Sequence, residues 1–225
     1  MIPRELLGTA IVPGGGEELR LFRRGGDYMI VADRNELMNS RMGGSEEVLA
    51  TAAIERLGGR DAQLLIGGYG MGFTLRAALG ELRATARVTV AELVPEIVEW
   101  ARGPMAELTA GCLDDPRVRL IDGDVADAIA AAQAGFDAIL LDVDNGPDGL
   151  TRDVNDRLYS PRGLAAAWRA LTPGGILAVW SAAPDVKFAR RLGEAGFHVE
   201  EIAVRARGNG KGPRHIIWFG RRPGR

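Results

Sequence analysis

The stretch AQLLIGGYGMGFT, residues 62–74, decides the fold because three alternating glycines directly follow an apolar run. Residues 63–66 predict a buried strand, and the residues after the glycines predict a helix. Gly68, Gly70 and Gly72 permit positive φ angles, close approach of a ligand and tight packing of helix on strand. Such a turn is typical of a nucleotide pocket in a parallel α/β sheet, although similar turns also serve structure alone.

Strand and helix signals alternate from residue 62 onward, which predicts a parallel sheet with right-handed crossovers. The predicted strands are 63–66, 88–91, 118–121, 138–141, 176–180, 198–204 and 215–219, and the predicted helices are 74–82, 95–109, 125–134, 161–171 and 185–195. RGNGKGP, residues 207–213, is too short for a helix and predicts a closing antiparallel hairpin. The expected fold class is therefore α/β, with the Rossmann-like, mostly parallel seven-stranded sheet of class I S-adenosylmethionine-dependent transferases.

The first part of the chain has a different pattern. Within residues 1–43, β-like runs at 9–12, 18–23 and 28–32 are separated by glycine-rich turns, which predicts a small antiparallel β appendage. Residues 44–225 form the predicted nucleoside-binding catalytic domain. Its first helix is expected to have Ser45 as N-cap, Glu46 and Glu47 in the first turn, and Gly58-Gly59 at its end.

Composition restricts the function classes. The 225 residues are 46% hydrophobic and carry a formal charge of −2, so the chain can bury a core and has no global field that attracts nucleic acid or membranes. No apolar stretch approaches a membrane span and no signal pattern precedes residue 20, so a cytoplasmic protein is expected. A single cysteine, Cys112, excludes an internal disulfide, and two histidines give no metal-ligand spacing.

The candidate ligand-binding residues lie just past the predicted strands, where an open α/β sheet binds its ligand. Glu92 ends the second strand about 20 residues after the glycines, at the spacing of a carboxylate that accepts the hydroxyl protons of a ribose. Asp124 follows the third strand, where it could accept from an adenine amine while the backbone N–H of Val125 meets a ring nitrogen. Asp124 is also a predicted N-cap. Asp122 is interpreted as a bystander, and a solvated strand end is the alternative for Glu92.

The fourth strand is followed by LLDVDNGP, with Asp142, Asp144 and Asn145 beside the glycine turn. Two close carboxylates there could steady a sulfonium cofactor, hold an ammonium substrate and accept a proton from an attacking amine if one pKa is raised. The alternative is a loop with turn-forming acids. The basic C-terminal residues could suggest RNA binding, but Trp218 and Phe219 alternate as core-facing strand residues do, so nucleic acid is not an expected partner.

Together these residues resemble the spermidine synthase family of aminopropyltransferases, which use decarboxylated S-adenosylmethionine. The resemblance covers most of residues 36–181 and is carried by GGYGMGFTLR, AEL, DPRVRLIDGD, FDAILLDVDNGP and RLYSPRGLAAAWRALTPGGILAVW. It implies that Glu92 is the ribose ligand, Asp124 the adenine-binding aspartate and Asp142 the catalytic aspartate. From the pairing of the two acids, Asp144 is expected to aid Asp142. The resemblance also implies a small-molecule amine as substrate and makes a homodimer plausible.

The sequence departs from this family in the half of the site that recognises the aminopropyl donor and the polyamine. The aspartate of the family's glycine loop is replaced by Met71, and the loop is one residue longer. The family's tyrosine-glutamine pair aligns with Ser45 and Glu46, and its D-x-x-D-P turn has become Asp-Val-Asp-Asn-Gly-Pro. Three hypotheses follow: aminopropyl transfer, methyl transfer from S-adenosylmethionine to a small molecule, and non-catalytic nucleoside binding.

Overall fold

The N-terminal part of the chain is a four-stranded antiparallel meander. The computed structural model describes residues 3–14, 16–59, 61–143, 147 and 156–224. The meander runs β1 (Glu5–Ile11), β2 (Glu18–Arg24), β3 (Asp27–Ala32) and β4 (Asn35–Asn39), in that order. The sequence predicted the first three strands and missed β4. Its residues NELMN do not alternate apolar with polar, and only Asn39 is buried, so the strand lacks the period-two signal.

The main sheet has seven strands in the order β10-β11-β9-β8-β5-β6-β7. Its strands are β5 (Gln63–Gly67), β6 (Arg87–Glu92), β7 (Val118–Asp122), β8 (Phe136–Leu141), β9 (Leu171–Ser181), β10 (His198–Arg205) and β11 (Arg214–Arg221). Strands β5 to β9 pair in parallel, while β11 is antiparallel to both β9 and β10. The mostly parallel sheet and its closing antiparallel hairpin are therefore confirmed.

Eight α-helices lie in the described ranges: α1 (Gly44–Leu57), α2 (Phe73–Glu81), α3 (Pro95–Arg102), α4 (Ala106–Thr109), α5 (Val125–Ala131), α6 (Asp156–Tyr159), α7 (Pro161–Ala170) and α8 (Val186–Glu194). The prediction of one helix over 95–109 was wrong. Pro104 has no N–H for the helical ladder, and the chain turns at Gly103 before α4 begins. None of the helices described has the length and apolar character needed to cross a bilayer.

Helix α1 begins differently from the prediction. Its N-cap is Gly43, and Ser45 lies inside the helix with its hydroxyl group directed elsewhere, so the N-cap assignment of Ser45 was wrong. The start of the helix is set by a tertiary contact: Gly44 N donates to Ala206 O at 2.8 Å, at the end of the β10–β11 hairpin. The predicted C-terminus is confirmed, since Gly58 caps the helix with φ of 68°.

The meander and the main sheet share one hydrophobic core. Buried residues of the meander, such as Leu21 and Ile30, belong to the same packed cluster as Leu64 and Ile66 of β5. The Tyr28 hydroxyl donates to the carbonyl of Pro104 at 2.7 Å and fixes the meander to the segment between α3 and α4. The meander is thus held above the carboxyl ends of the parallel strands, and a cavity remains between the two layers.

Candidate functional site

The glycine turn after β5 adopts the conformation that its sequence predicts. Gly68, Gly70 and Gly72 have φ angles of 83°, 54° and 78°, which only glycine adopts without cost. A Cβ on Gly68 would lie 2.5 Å from the backbone oxygen of Asp142, so the turn also packs against the end of β8. Gly68 and Gly70 line the cavity. Gly72 caps α2 outside the lining, and a Cβ there would meet the Tyr69 hydroxyl at 2.7 Å.

Glu92 lies at the end of β6 and is 6% exposed. Its carboxylate accepts hydrogen bonds from the backbone N–H of Tyr69 at 2.8 Å and of Val94 at 2.9 Å. Burial raises its pKa, and these backbone donors oppose the rise. A carboxylate accepts several hydrogen bonds at once, so Glu92 can hold the turn and still accept from ligand hydroxyls. Glu92 therefore fixes the glycine turn and also faces the cavity.

Asp124 is the N-cap of α5, as predicted, and its carboxylate accepts from Ala126 N at 2.7 Å. The other oxygen pairs with Arg157 of α6, a contact that the sequence did not indicate. Val125, the first residue of α5, packs on β5, where a Cβ on Gly67 would lie 2.8 Å from its side chain. Asp124 and Val125 both line the cavity.

Asp142 follows β8, and the Thr74 hydroxyl group lies between its carboxylate and the backbone of Glu46 in α1. Thr74 Oγ1 lies 2.6 Å from Asp142 Oδ2, to which it donates, and 3.3 Å from the backbone oxygen of Glu46. Burial raises the pKa of Asp142 to about 6, while the Thr74 hydroxyl opposes the rise. Burial, followed by repulsion from Asp142 and Glu47, raises the pKa of Glu46 well above its usual value. The two carboxyl groups thus disfavour each other's ionisation.

A second polar cluster lies beside this pair. Ser45 Oγ accepts from Trp180 Nε1 at 3.0 Å and lies 2.8 Å from His215 Nδ1. The rings of Trp180 and His215 meet edge to face, with centroids 4.7 Å apart. Burial lowers the pKa of His215, so the imidazole is neutral near pH 7 and its Nδ1 can accept the Ser45 proton. Trp180 and His215 line the cavity, and Ser45 is fully buried behind them.

The cavity that joins these groups has a volume of about 320 Å³. Part of its apolar lining comes from the meander, including Leu19, Ile30 and Met38. Six carboxylate residues line it: Glu17, Glu36, Glu46, Glu92, Asp124 and Asp142. Within the described part of the chain, its lining contains no lysine or arginine. Such a cavity favours a ligand that is cationic and partly apolar.

Most of the residues selected from sequence meet in this cavity. Gly68, Gly70, Glu92, Asp124, Val125 and Asp142 all line it, whereas Gly72 does not. Asp144 and Asn145 lie outside the described residues. Met71 is 0% exposed, so it presents no group to the cavity.

The sequence reasoning missed Trp180 and His215 and gave Glu46 no role in the site. It placed Glu46 in the first turn of a helix and noted its departure from the family pattern. The other two lie at the end of β9 and the start of β11, and only the antiparallel insertion of β11 beside β9 brings them together.

A larger, more open depression of about 580 Å³ lies at the amino ends of the strands. Its polar groups already have protein partners: the carboxylate of Asp137 accepts from Gln63 N at 2.8 Å and from Thr172 Oγ1 at 2.9 Å. Parallel α/β sheets bind ligands at the opposite edge, so the smaller cavity is the candidate site. The described residues contain no group of three histidine, cysteine or acidic side chains arranged to hold a metal ion.

The strand order and the glycine turn define a class I S-adenosylmethionine-dependent transferase fold. The spermine/spermidine synthase domain profile matches residues 44–189. The chain therefore belongs to the spermine/spermidine synthase family.

Curated relatives include the polyamine aminopropyltransferase of Mycobacterium tuberculosis (strain CDC 1551 / Oshkosh), which is 33% identical over 179 residues. That match covers 77% of this chain and 31% of the relative, so the chain spans about a third of the relative's length. Putrescine N-methyltransferase 4 of Nicotiana tabacum is 36% identical over 115 residues, covering 51% of this chain and 28% of the relative.

Solved structures share the fold across nearly the whole chain. Spermidine synthase from Thermotoga maritima superposes with a TM-score of 0.75 and 18% identity, covering 96% of this chain and 72% of that chain. A spermidine synthase in complex with the transition state analogue AdoDATO matches with the same values. At this identity the similarity shows a common fold.

Proposed function

We propose that the protein is an aminopropyltransferase that moves the aminopropyl group of decarboxylated S-adenosylmethionine to a small amine. The observation that carries the proposal is the acidic cavity, whose described lining has six carboxylate residues and no lysine or arginine. The decarboxylated donor is a cation with no carboxylate of its own, and an alkylammonium acceptor is also a cation. Both match this lining, whereas the carboxylate of S-adenosylmethionine would be repelled by it.

The nucleoside half of the donor is assigned to the turn after β5 and the ends of β6 and β7. Gly68 and Gly70 leave room for the ligand, and the Glu92 carboxylate accepts from the ribose hydroxyls in addition to its backbone donors. Asp124 accepts from the adenine amine, and the backbone N–H of Val125 donates to a ring nitrogen. Because Arg157 pairs with the same carboxylate, the adenine shares Asp124 with that guanidinium group.

The proposed chemistry is a displacement at carbon. The bound ammonium group first loses a proton to Asp142, whose raised pKa of about 6 suits a general base near neutral pH. The lone pair of the resulting amine attacks the propyl carbon bonded to sulfur, the carbon–sulfur bond breaks, and 5′-methylthioadenosine leaves as a neutral thioether. Asp144, outside the described residues, is proposed to assist. The sulfonium is already activated, so positioning of the two reactants supplies much of the rate.

Methyl transfer to an amine is the second candidate. It is favoured by Met71, which replaces the glycine-loop aspartate of the family and is fully buried, so no carboxylate from that loop meets an aminopropyl group. A relative named putrescine N-methyltransferase is consistent with it. The acidic lining argues the other way, because methyl transfer requires the carboxylated donor.

Calorimetric titration with S-adenosylmethionine, its decarboxylated form and 5′-methylthioadenosine separates these functions. We expect the decarboxylated donor to bind at least about tenfold more tightly than the carboxylated one, a difference of about 1.4 kcal/mol. Mass spectrometry of a reaction with 1,4-diaminobutane then identifies the transferred group. Preference for the carboxylated donor and a mass gain of one methyl group would support the second candidate. Binding of the nucleosides without any turnover would support a non-catalytic protein.

The homodimer suggested by the resemblance stays a prediction, which sedimentation velocity tests.

A further inference from the structure

We infer that Glu46 is a second ammonium-binding carboxylate of this site and that, with Asp142, it forms a subsite for one primary alkylammonium group. The inference rests on the proposed function for the identity of the ligand, and it assigns a role to a residue at which this chain departs from its family. Three observations carry it: the geometry around Thr74, the unsatisfied carboxyl of Glu46, and the anchoring of the start of α1.

The Thr74 hydroxyl contacts the side chain of Asp142 and the backbone of Glu46. It donates to Asp142 Oδ2 at 2.6 Å and lies 3.3 Å from the carbonyl oxygen of Glu46. Both residues line the same cavity, Glu46 from α1 and Asp142 from the end of β8, and the charge of Asp142 acts on the Glu46 carboxyl group. Two carboxylates on opposite elements can bind one ammonium group, which has three N–H donors.

Glu46 has capacity for such a donor. Among the residues that the structure describes, none donates a hydrogen bond to its carboxyl group, whereas Asp142 has Thr74. Glu46 is half-buried and lines the cavity, and burial is the largest cause of its raised pKa. A proton or a cationic ligand compensates the cost of partly burying such a carboxyl group.

The position of Glu46 is fixed by its neighbour in sequence. Ser45 Oγ is bonded to Trp180 at the end of β9 and to His215 at the start of β11. These bonds tie the first turn of α1 to two strands, so the Glu46 side chain is presented at a defined place. The rings of Trp180 and His215 also form an aromatic wall of the cavity, and an aromatic surface is favourable for an alkylammonium ion.

The charged groups around the pair determine how it titrates. Glu47 on α1 repels the Glu46 charge. His215 on β11 is neutral near pH 7, and the remaining cavity acids are Glu17, Glu36, Glu92 and Asp124. No described group that faces the pair is a permanent cation. In the empty site the pair therefore holds a proton, and an entering ammonium ion displaces it into solvent.

The test is calorimetric titration with 1,4-diaminobutane, with and without saturating 5′-methylthioadenosine, in buffers of different ionisation enthalpy. For the wild-type protein at about pH 6.5 we expect proton release on binding, and tighter binding as the pH rises. Glu46→Gln should weaken binding of the diamine about tenfold or more at about pH 8, and should abolish most of the proton release. Binding of 5′-methylthioadenosine should change less than about twofold, because that ligand carries no ammonium group.

Two further variants keep the result interpretable. Glu46→Asp retains a carboxyl group and should retain proton release, which a merely structural role would not predict. Glu55→Gln removes an exposed charge from the same helix and should behave as the wild type. Wild-type diamine affinity and proton release in Glu46→Gln would overturn the inference. Failure of the wild type to bind 5′-methylthioadenosine would instead contradict the proposed function, and the diamine comparison without nucleoside would still decide the role of Glu46.

Discussion

The buried carboxyl of Asp142 has opposite consequences for function and for stability. Its pKa rises from 3.8 to about 6 on folding, so between these values the folded protein holds a proton that the unfolded chain has released. The free energy of unfolding therefore falls as pH rises through this interval, and the deficit persists at higher pH. A general base that is ready near neutral pH thus costs stability at the same pH.

Replacing Asp142 with asparagine removes that cost. We expect Asp142→Asn to raise the free energy of unfolding by about 1 to 3 kcal/mol at about pH 8, and by much less at low pH, while turnover collapses. Urea denaturation at several pH values measures the first effect. The control is Asp122→Asn, an exposed position on β7, which should change stability by less than about 0.5 kcal/mol. Full activity of Asp142→Asn would show that Asp142 takes no part in the reaction.

Glu92 links ligand binding to the glycine turn. Glu92→Ala should weaken binding of 5′-methylthioadenosine by about 1 to 3 kcal/mol, because charged hydrogen bonds to the ribose are lost and the N–H groups of Tyr69 and Val94 lose their acceptor. Isothermal calorimetry measures the affinity. Glu99→Ala, an exposed position on α3, serves as the control and should bind normally. Unchanged affinity in Glu92→Ala would exclude the residue from the nucleoside site.

At the scale of elements, the turn between β5 and α2 depends on its backbone geometry. In Gly68→Ala the new Cβ would lie 2.5 Å from the backbone oxygen of Asp142, at a φ of 83°. A backbone atom cannot move aside as a flexible side chain can, so we expect a loss of about 2 kcal/mol or more in the free energy of unfolding.

A second glycine of the same element provides the control. Gly80 lies in α2, is exposed, and a Cβ there would meet no atom within 4 Å. Gly80→Ala should stabilise the protein by up to about 1 kcal/mol, since alanine is the better helix former. Thermal denaturation of the two variants compares them directly. Equal stability of both would mean that the turn tolerates a side chain and that its glycines are not required by geometry.

At the scale of the whole molecule, the acidic cavity between the meander and the main sheet should attract cationic ligands by its charge. Raising the salt concentration from about 0.01 to 0.5 M shortens the Debye length from about 30 Å to a few ångströms. Binding of 1,4-diaminobutane should therefore weaken about tenfold, whereas binding of neutral 5′-methylthioadenosine should change less than about twofold. Calorimetric titrations at both salt concentrations test this. An equal response of both ligands would mean that the six carboxylate residues do not select for charge.

The sequence predicted those features that depend on local pattern. The parallel strands were visible as apolar runs, the turn at Gly68 as alternating glycines, and the cap at Asp124 as an acid before a helix. It failed where a tertiary contact overrides a local preference. Serine is a preferred N-cap residue, but the Ser45 hydroxyl group is hydrogen-bonded to Trp180 and His215. The helix therefore begins at Gly44.

What the sequence determined by itself is the α/β class, the closing hairpin and the acids at the ends of the strands, because strand alternation and residue spacing are encoded locally. Only the tertiary structure decided that Glu46 opposes Asp142, that Trp180 and His215 share a wall, and that the meander roofs the cavity. Each of these is a contact between residues far apart in the chain. Such contacts follow from how the layers pack, and no local pattern records them.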